Sequence, residues 1–250
     1  MQILVVSDFQ NAIDRAKEIL YEKVDRKTVL FLSGGATPKS LYASLAKDKI
    51  IHPAAVGMVD ERYGKKMHTT SNELMIQESG LLDYLDTQKV PFYPILGKNL
   101  TRKNASKAYD QTTRDLFFHF HKSVAVMGIG TDGYIAGIPP TVILEEGRFG
   151  DRPIESSQRK DPIASLQDDI YTTNQFVASY KDPKMKPPER ITMTFAGLSL
   201  IDYFVVLAFG KEKKKPLQQM FSQGSLEEVP ARFFMHTAPN NTVVITDQQV

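Results

Sequence analysis

Residues 124–140, VAVMGIGTDGYIAGIPP, carry an apolar β-branched run that ends in glycines, with one acid, Asp132, inside the glycine-rich turn. A buried strand emptying into a loop is written this way. In an open α/β sheet, ligands bind outside the carboxyl ends of the strands, so Asp132 is expected to point into such a crevice. The same pattern also suits a tight turn with a solvated aspartate. A second corner has the same grammar: TVLFLS (28–33), then GGATP (34–38), then a helical pattern with Leu41, Tyr42 and Leu45. Thr37 before Pro38 reads as a hydroxyl cap followed by proline at the first helical position. Strand, glycine loop and helix N-terminus together offer free backbone N–H groups and a positive dipole end, which suits phosphate. A third apolar run, AAVGMVD (54–60), ends in Asp60, with Glu61 and Arg62 behind it; an ordinary salt-bridged loop has the same composition. Beyond YFVVLAFG (203–210), Lys211, Lys213, Lys214 and Lys215 stand at or before a helix start, where cations are disfavoured unless solvated or held by an anion.

These corners must be held by a framework, and the totals bound it. The chain has 250 residues, 42% hydrophobic and 24% charged, which fits a globular protein; no internal repeat or linker is evident, so one domain over 1–250 is expected. A net charge of +2 lacks the basic excess of a nucleic-acid binder. With no cysteine, disulfides, zinc–thiolate sites and thiol nucleophiles are excluded. No apolar run reaches membrane-span length, and the N-terminus lacks a cationic leader, so a cytoplasmic protein is expected.

In order, the N-terminus reads as a strand, a cap at Ser7 or Asp8, and an amphipathic helix. Ser71–Leu82 predicts a helix capped by Ser71, VPFYPIL (90–96) an edge strand or extended connection, and 104–121 a helix entering the 124–128 strand. Residues 145–170 are polar and suggest surface loops or a lid; 181–190 read as a proline-punctuated connection. ITMTF (191–195), PARFF (230–234) and a last strand at TVVITD (242–247) complete the chain. Apolar runs alternating with helical patterns indicate a mostly parallel sheet with helices on both faces.

SGGATPKSLYASLA, VDERYG with SNELM, MGIGTDGYIAGIPP, PPERITMTF and FVVLAFGKEKKKPL, in that order, resemble the 6-phosphogluconolactonase family, and more distantly glucosamine-6-phosphate deaminase. The resemblance runs from about residue 28 to the end. It implies a three-layer α/β sandwich with a Rossmann-like sheet, a sugar-phosphate pocket at the strand ends, and neither metal nor redox cofactor. Carried over by motif, Gly34, Gly35 and Thr37 hold phosphate and Lys213 supplies charge. Arg190 takes a phosphate or structural role, Asp60 and Arg62 sit at the sugar end, and Asp132 is the acid of the glycine loop.

One departure matters. Where the family has histidine after Asp132 and Gly133, this chain has Tyr134. In the lactonases that histidine is implied to activate the attacking water, and a phenol with an unperturbed pKa near 10 is a poor base at neutral pH. Tyr134 is therefore expected to donate a hydrogen bond to the developing oxyanion, with Asp132 or Asp60 as base. The deaminase reading meets a second obstacle, because Pro139 stands where that family has a ring-opening glutamate. The sequence thus predicts a 6-phosphogluconolactonase-like hydrolase, with a non-catalytic sugar-phosphate binder and a deaminase or isomerase as alternatives.

Overall fold

The computed structural model of the chain describes residues 1–140, 174–183 and 185–249. The expected lid at 145–170 lies outside them. Six strands form one parallel sheet: β1 (Gln2–Val5), β2 (Thr28–Leu32), β3 (Ala55–Met58), β5 (Lys122–Gly128), β8 (Tyr203–Ala208) and β9 (Thr242–Thr246), in the order β1-β9-β8-β5-β2-β3. Sequences such as TVLFL and TVVIT are buried at every position, as a parallel sheet covered on both faces requires. Within this sheet only the short edge strand β1 is largely exposed. Helices α1 (Phe9–Lys23) and α2 (Ala36–Asp48) pack on each other and on the sheet, and α5 (Arg102–His119) covers the region around Phe31 and Met58, giving three layers.

The chain leaves β2 toward β3 on one side, and leaves β5 toward β8 on the other. The crevice between β2 and β5 is thus a topological switch point, where ligands of open α/β sheets bind. Two buried tyrosines pin the strand ends beside it. Tyr42 of α2 donates to the Ser33 carbonyl at 2.9 Å, and Tyr109 of α5 accepts from the Met58 N–H and donates to the Met58 carbonyl at 2.9 Å.

A second, antiparallel sheet flanks that crevice: β4 (Asp60–Arg62), β7 (Glu189–Met193) and β6 (Val177–Lys181), in the order β4-β7-β6. One residue, Val59, joins the two sheets. Its N–H donates to Leu32 of the main sheet, and its carbonyl accepts from Met193 of the small one, both at 2.9 Å.

The structure revises several boundaries. Helix α2 starts at Ala36, one residue before Thr37, because Gly35 at φ 120° serves as the N-cap, a conformation that glycine alone adopts cheaply. Pro38 is tolerated in that first turn, since its missing N–H would have had no intrahelical partner. The helix expected from Ser71 is two helices, α3 (Asn72–Glu78) and α4 (Leu81–Thr87), broken at Gly80 with φ 79°; Ser71 does cap the first, accepting from the Leu74 N–H. The cap of α1 is Asp8, which accepts from the Asn11 N–H. Within 181–190, Lys181 pairs with Glu189 and the Asp182 N–H donates to the Pro188 carbonyl at the end of the β6–β7 hairpin, and Phe92 makes a lone parallel bridge with Val56.

Candidate active site

A cavity of about 440 Å³ opens at the switch point. Its wall includes Gly34, Gly35, Thr37, Asp60, Arg62, Tyr134, Arg190 and Lys213, so eight of the nine residues singled out from the sequence meet there. Asp132 is not among the lining residues, contrary to expectation. It is exposed, and its Oδ1 accepts from the Tyr134 N–H at 3.2 Å, so it shapes the turn that presents Tyr134.

The Asp60–Arg62 triplet is explained by strand alternation. Successive side chains of β4 point to opposite faces. Asp60 pairs with Thr192 and Arg62 with Arg190, so these four share one face, while Glu61 pairs with Ile191 on the other. The buried Glu61 carboxylate accepts from the Arg62, Asn72 and Glu73 N–H groups and from the Ser71 hydroxyl, at 2.7–2.9 Å. Burial pushes its pKa up, and the surrounding donors oppose that shift. Glu61 therefore ties β4 to the N-terminus of α3, where the helix dipole favours a carboxylate.

Asp60 is 7% exposed. Burial raises its pKa above the ordinary carboxylate value; Arg62, Arg190, the Asn72 amide and the Gly34 N–H hold the rise back. The Gly34 donor is thus spent on Asp60, while Gly35, Ala36 and Thr37 line the cavity with no side-chain cap at Gly35. Asn72 Nδ2 donates to both the carbonyl and Oδ2 of Asp60, at 2.9 and 3.1 Å. Its Oδ1 is buried without a hydrogen-bond donor among the described residues and lies against Gly34, where a Cβ would come within 2.0 Å of it. Glycine at 34 is what lets Asn72 reach Asp60.

Tyr134 is held over the glycines of its own loop. A Cβ on Gly130 would fall 2.0 Å from the ring, and the Gly130 N–H donates to the Tyr134 carbonyl at 2.8 Å. The following turn, with Ala136 at φ 53° and Gly137 at φ 68°, is fastened to the small sheet: the Thr192 hydroxyl donates to the Ala136 carbonyl and the Tyr180 hydroxyl to the Gly137 carbonyl. Burial raises the Tyr134 pKa; Asp60 and Asp132 raise it further, and Arg62 and Arg190 oppose them. The phenol is therefore neutral at pH 7.

Arg62 and Arg190 face each other across β4 and β7. Like charges directly opposite are destabilising unless an anion lies between or beside them. Arg190 Nη1 donates to the Pro187 carbonyl at 2.5 Å, and burial lowers its pKa. Two further charged residues line the wall, Lys186 from the β6–β7 turn and Glu212 beside Lys213. Neither was singled out from the sequence: reading 181–190 as a mere connection hid Lys186, and Glu212 sat unremarked between lysines. Among the described residues, Arg62, Lys186, Arg190 and Lys213 against Asp60 and Glu212 give the wall a formal charge of +2.

The family described as "Glucosamine-6-phosphate isomerases/6-phosphogluconolactonase" matches residues 5–147 and 163–244. The chain belongs to this family. A 6-phosphogluconolactonase of Rhizobium meliloti is 28% identical over 211 residues, covering 84% of this chain and 80% of that protein. A glucosamine-6-phosphate deaminase of Pseudoalteromonas translucida is 26% identical over 256 residues, covering 99% and 88%. Among solved structures, a 6-phosphogluconolactonase from Shewanella baltica superposes with a TM-score of 0.76 at 18% identity, covering 98% of this chain and 97% of that one. A monomeric glucosamine-6-phosphate deaminase gives 0.67 at 15%, covering 99% and 98%. These structures share the fold, the parallel sheet flanked by helices that the sequence predicts.

Proposed function

We propose that this member of the family hydrolyses a phosphorylated sugar lactone, 6-phosphogluconolactone, to 6-phosphogluconate. The observation that carries the reading is the arrangement of the cavity. The α2 corner at Gly35–Thr37 and Lys213 supply donors and charge for the phosphate, while Asp60, Arg62, Arg190 and Tyr134 stand at the sugar end. A wall charge of +2 complements a phosphate monoester, which carries about −1.5 to −2 at pH 7. Pro139 in the segment GIPP has no acid–base group, which favours the lactonase over a deaminase.

Asp60 is assigned as base, because it lines the cavity and its raised pKa makes it a better proton acceptor than an ordinary aspartate. It takes a proton from water as the water oxygen bonds to the lactone carbonyl carbon. Tyr134 and the two arginines face the negative charge that develops on the carbonyl oxygen. The ring C–O bond then breaks, and the proton held by Asp60 passes to the departing oxygen. Water is consumed and nothing is left over. Asp132 acts through Tyr134, as the acceptor that fixes its loop.

A second reading, a sugar-phosphate binder without turnover, is favoured by the absence of an imidazole at position 134. The deciding experiment follows lactone loss at short times, with spontaneous hydrolysis subtracted, for the protein and for Asp60→Asn. Turnover that falls at least about 100-fold in the variant supports hydrolysis with Asp60 as base. No turnover from the unaltered protein, with a melting temperature raised by 6-phosphogluconate, supports the binder.

A further inference from the structure

Among the residues at the sugar end, Arg62 has the least obvious restraint. It projects from the last position of a three-residue strand, and a loop with Gly64, Lys65 and Lys66 exposed follows it. Its side chain borders two spaces. One is the cavity; the other is an outer hollow of about 260 Å³, lined also by Lys39, Thr70 and Glu78. Glu78 pairs with Lys39 at 2.7 Å on that outer side and offers a competing carboxylate. A long flexible side chain between a cationic cavity and an outer carboxylate would have no fixed place unless something held it.

We propose that His68 is a positioning residue that fixes Arg62 at the rim between the cavity and the outer hollow. The imidazole closes a ring of three hydrogen bonds. Its Nε2 lies 2.8 Å from the Arg62 carbonyl, its Nδ1 lies 3.1 Å from the Thr70 hydroxyl, and Arg62 Nη1 donates to the Thr70 carbonyl at 2.7 Å. A carbonyl only accepts, so Nε2 carries the proton, and Nδ1 accepts from Thr70. The ring pulls residue 70 against residue 62, commits one guanidinium nitrogen to Thr70, and leaves the other N–H groups for a ligand. Room for the imidazole comes from Gly64, where a Cβ would stand 2.9 Å from the His68 ring. Lys66, paired with the buried Glu73 at 3.2 Å, fastens the same loop to α3. Of the five histidines, His68 is the one the structure brings to Arg62, and it acts at one remove, with no contact to the reacting atoms.

The ligand arm of the test rests on the lactone reading; the structural arm does not. Calorimetric binding of 6-phosphogluconate is compared for the protein, His68→Ala, His68→Gln, Arg62→Ala and the double variant His68→Ala/Arg62→Ala. His68→Ala should weaken binding about 10-fold, the scale of one charge-assisted hydrogen bond. His68→Gln, whose amide N–H can reach the Arg62 carbonyl, should recover most of it. In the Arg62→Ala background the His68 change should cost less than about twofold, because coupled residues are not additive. Equal losses in both backgrounds would mean that His68 merely supports the loop, and the proposal fails. Should the unaltered protein not bind 6-phosphogluconate, the crystal structure of His68→Ala decides alone. Arg62 turned away from the Thr70 carbonyl upholds the proposal, and Arg62 unmoved from its 2.7 Å contact overturns it.

Discussion

Replacing Tyr134 by histidine restores the family's residue and tests whether an imidazole there is a better base than Asp60. An unperturbed phenol is about 0.1% ionised at pH 7, and the burial and carboxylates around Tyr134 lower that fraction further. An imidazole with a pKa near 6.5 is about three-quarters neutral there. The substitution should fit: the ring is smaller, the cavity wall gains space, and the backbone is fixed by Asp132 Oδ1, the Gly130 N–H and the Thr192 and Tyr180 hydroxyls, none of which needs the phenol. A positioned general base is worth about 10²- to 10⁴-fold, or ~2.7–5.5 kcal/mol of barrier. Because Asp60 already serves as base, the imidazole adds only part of that span: initial rates of 6-phosphogluconolactone loss at pH 7, corrected for the uncatalysed reaction, should rise about 10-fold or more in Tyr134→His, with a pH profile that gains an ascending limb near the imidazole pKa. Tyr134→Phe should fall below the unaltered protein, since the donor to the oxyanion is lost. An imidazole variant that folds, binds 6-phosphogluconate and is no faster would refute the reasoning.

Lys213→Ala should weaken 6-phosphogluconate about 10- to 100-fold in calorimetry, and gluconate far less, because one charge-assisted contact to phosphate is removed; equal losses would refute the phosphate assignment. Asp60 has a folded-state pKa above its unfolded value of about 3.8, so its contribution favours the folded state below that value and is lost as pH rises through the folded pKa. Asp60→Asn should therefore be more stable than the unaltered protein at pH 7 by thermal unfolding, with the gap closing toward about pH 4; a gap that widens on acidification contradicts it. Gly34→Ala must displace Asn72 from Asp60, so it should cost about 1–3 kcal/mol in urea unfolding and lower turnover with it. A variant with unchanged stability would show that Asn72 can yield without loss.

The main sheet was legible because burial on both faces leaves continuous apolar runs, and β2, β5, β8 and β9 all announce themselves so. The small sheet was not. Pro183, Pro187 and Pro188 crowd the segment between β6 and β7 and make a hairpin turn look like a plain connection, and β4 has only three residues, too few for a period to show. Lys186 was hidden with that hairpin. The alternation of Asp60, Glu61 and Arg62 was in plain view, but which face met the cavity depended on pairing with β7, which no local pattern states. The position of Asp132 likewise turned on a side chain bonding back to its own loop, as aspartate in turns often does.

Val59 gives the molecule a junction of no slack. Its two backbone bonds reach one sheet each, so the count of residues between Met58 and Asp60 is fixed as firmly as any side chain. Adding or deleting one residue there would turn β4 over, sending Glu61 inward and both Asp60 and Arg62 toward α3. Homologous chains can therefore lengthen or shorten elsewhere, but an indel at this joint would erase the pocket while leaving almost every amino acid of it in place.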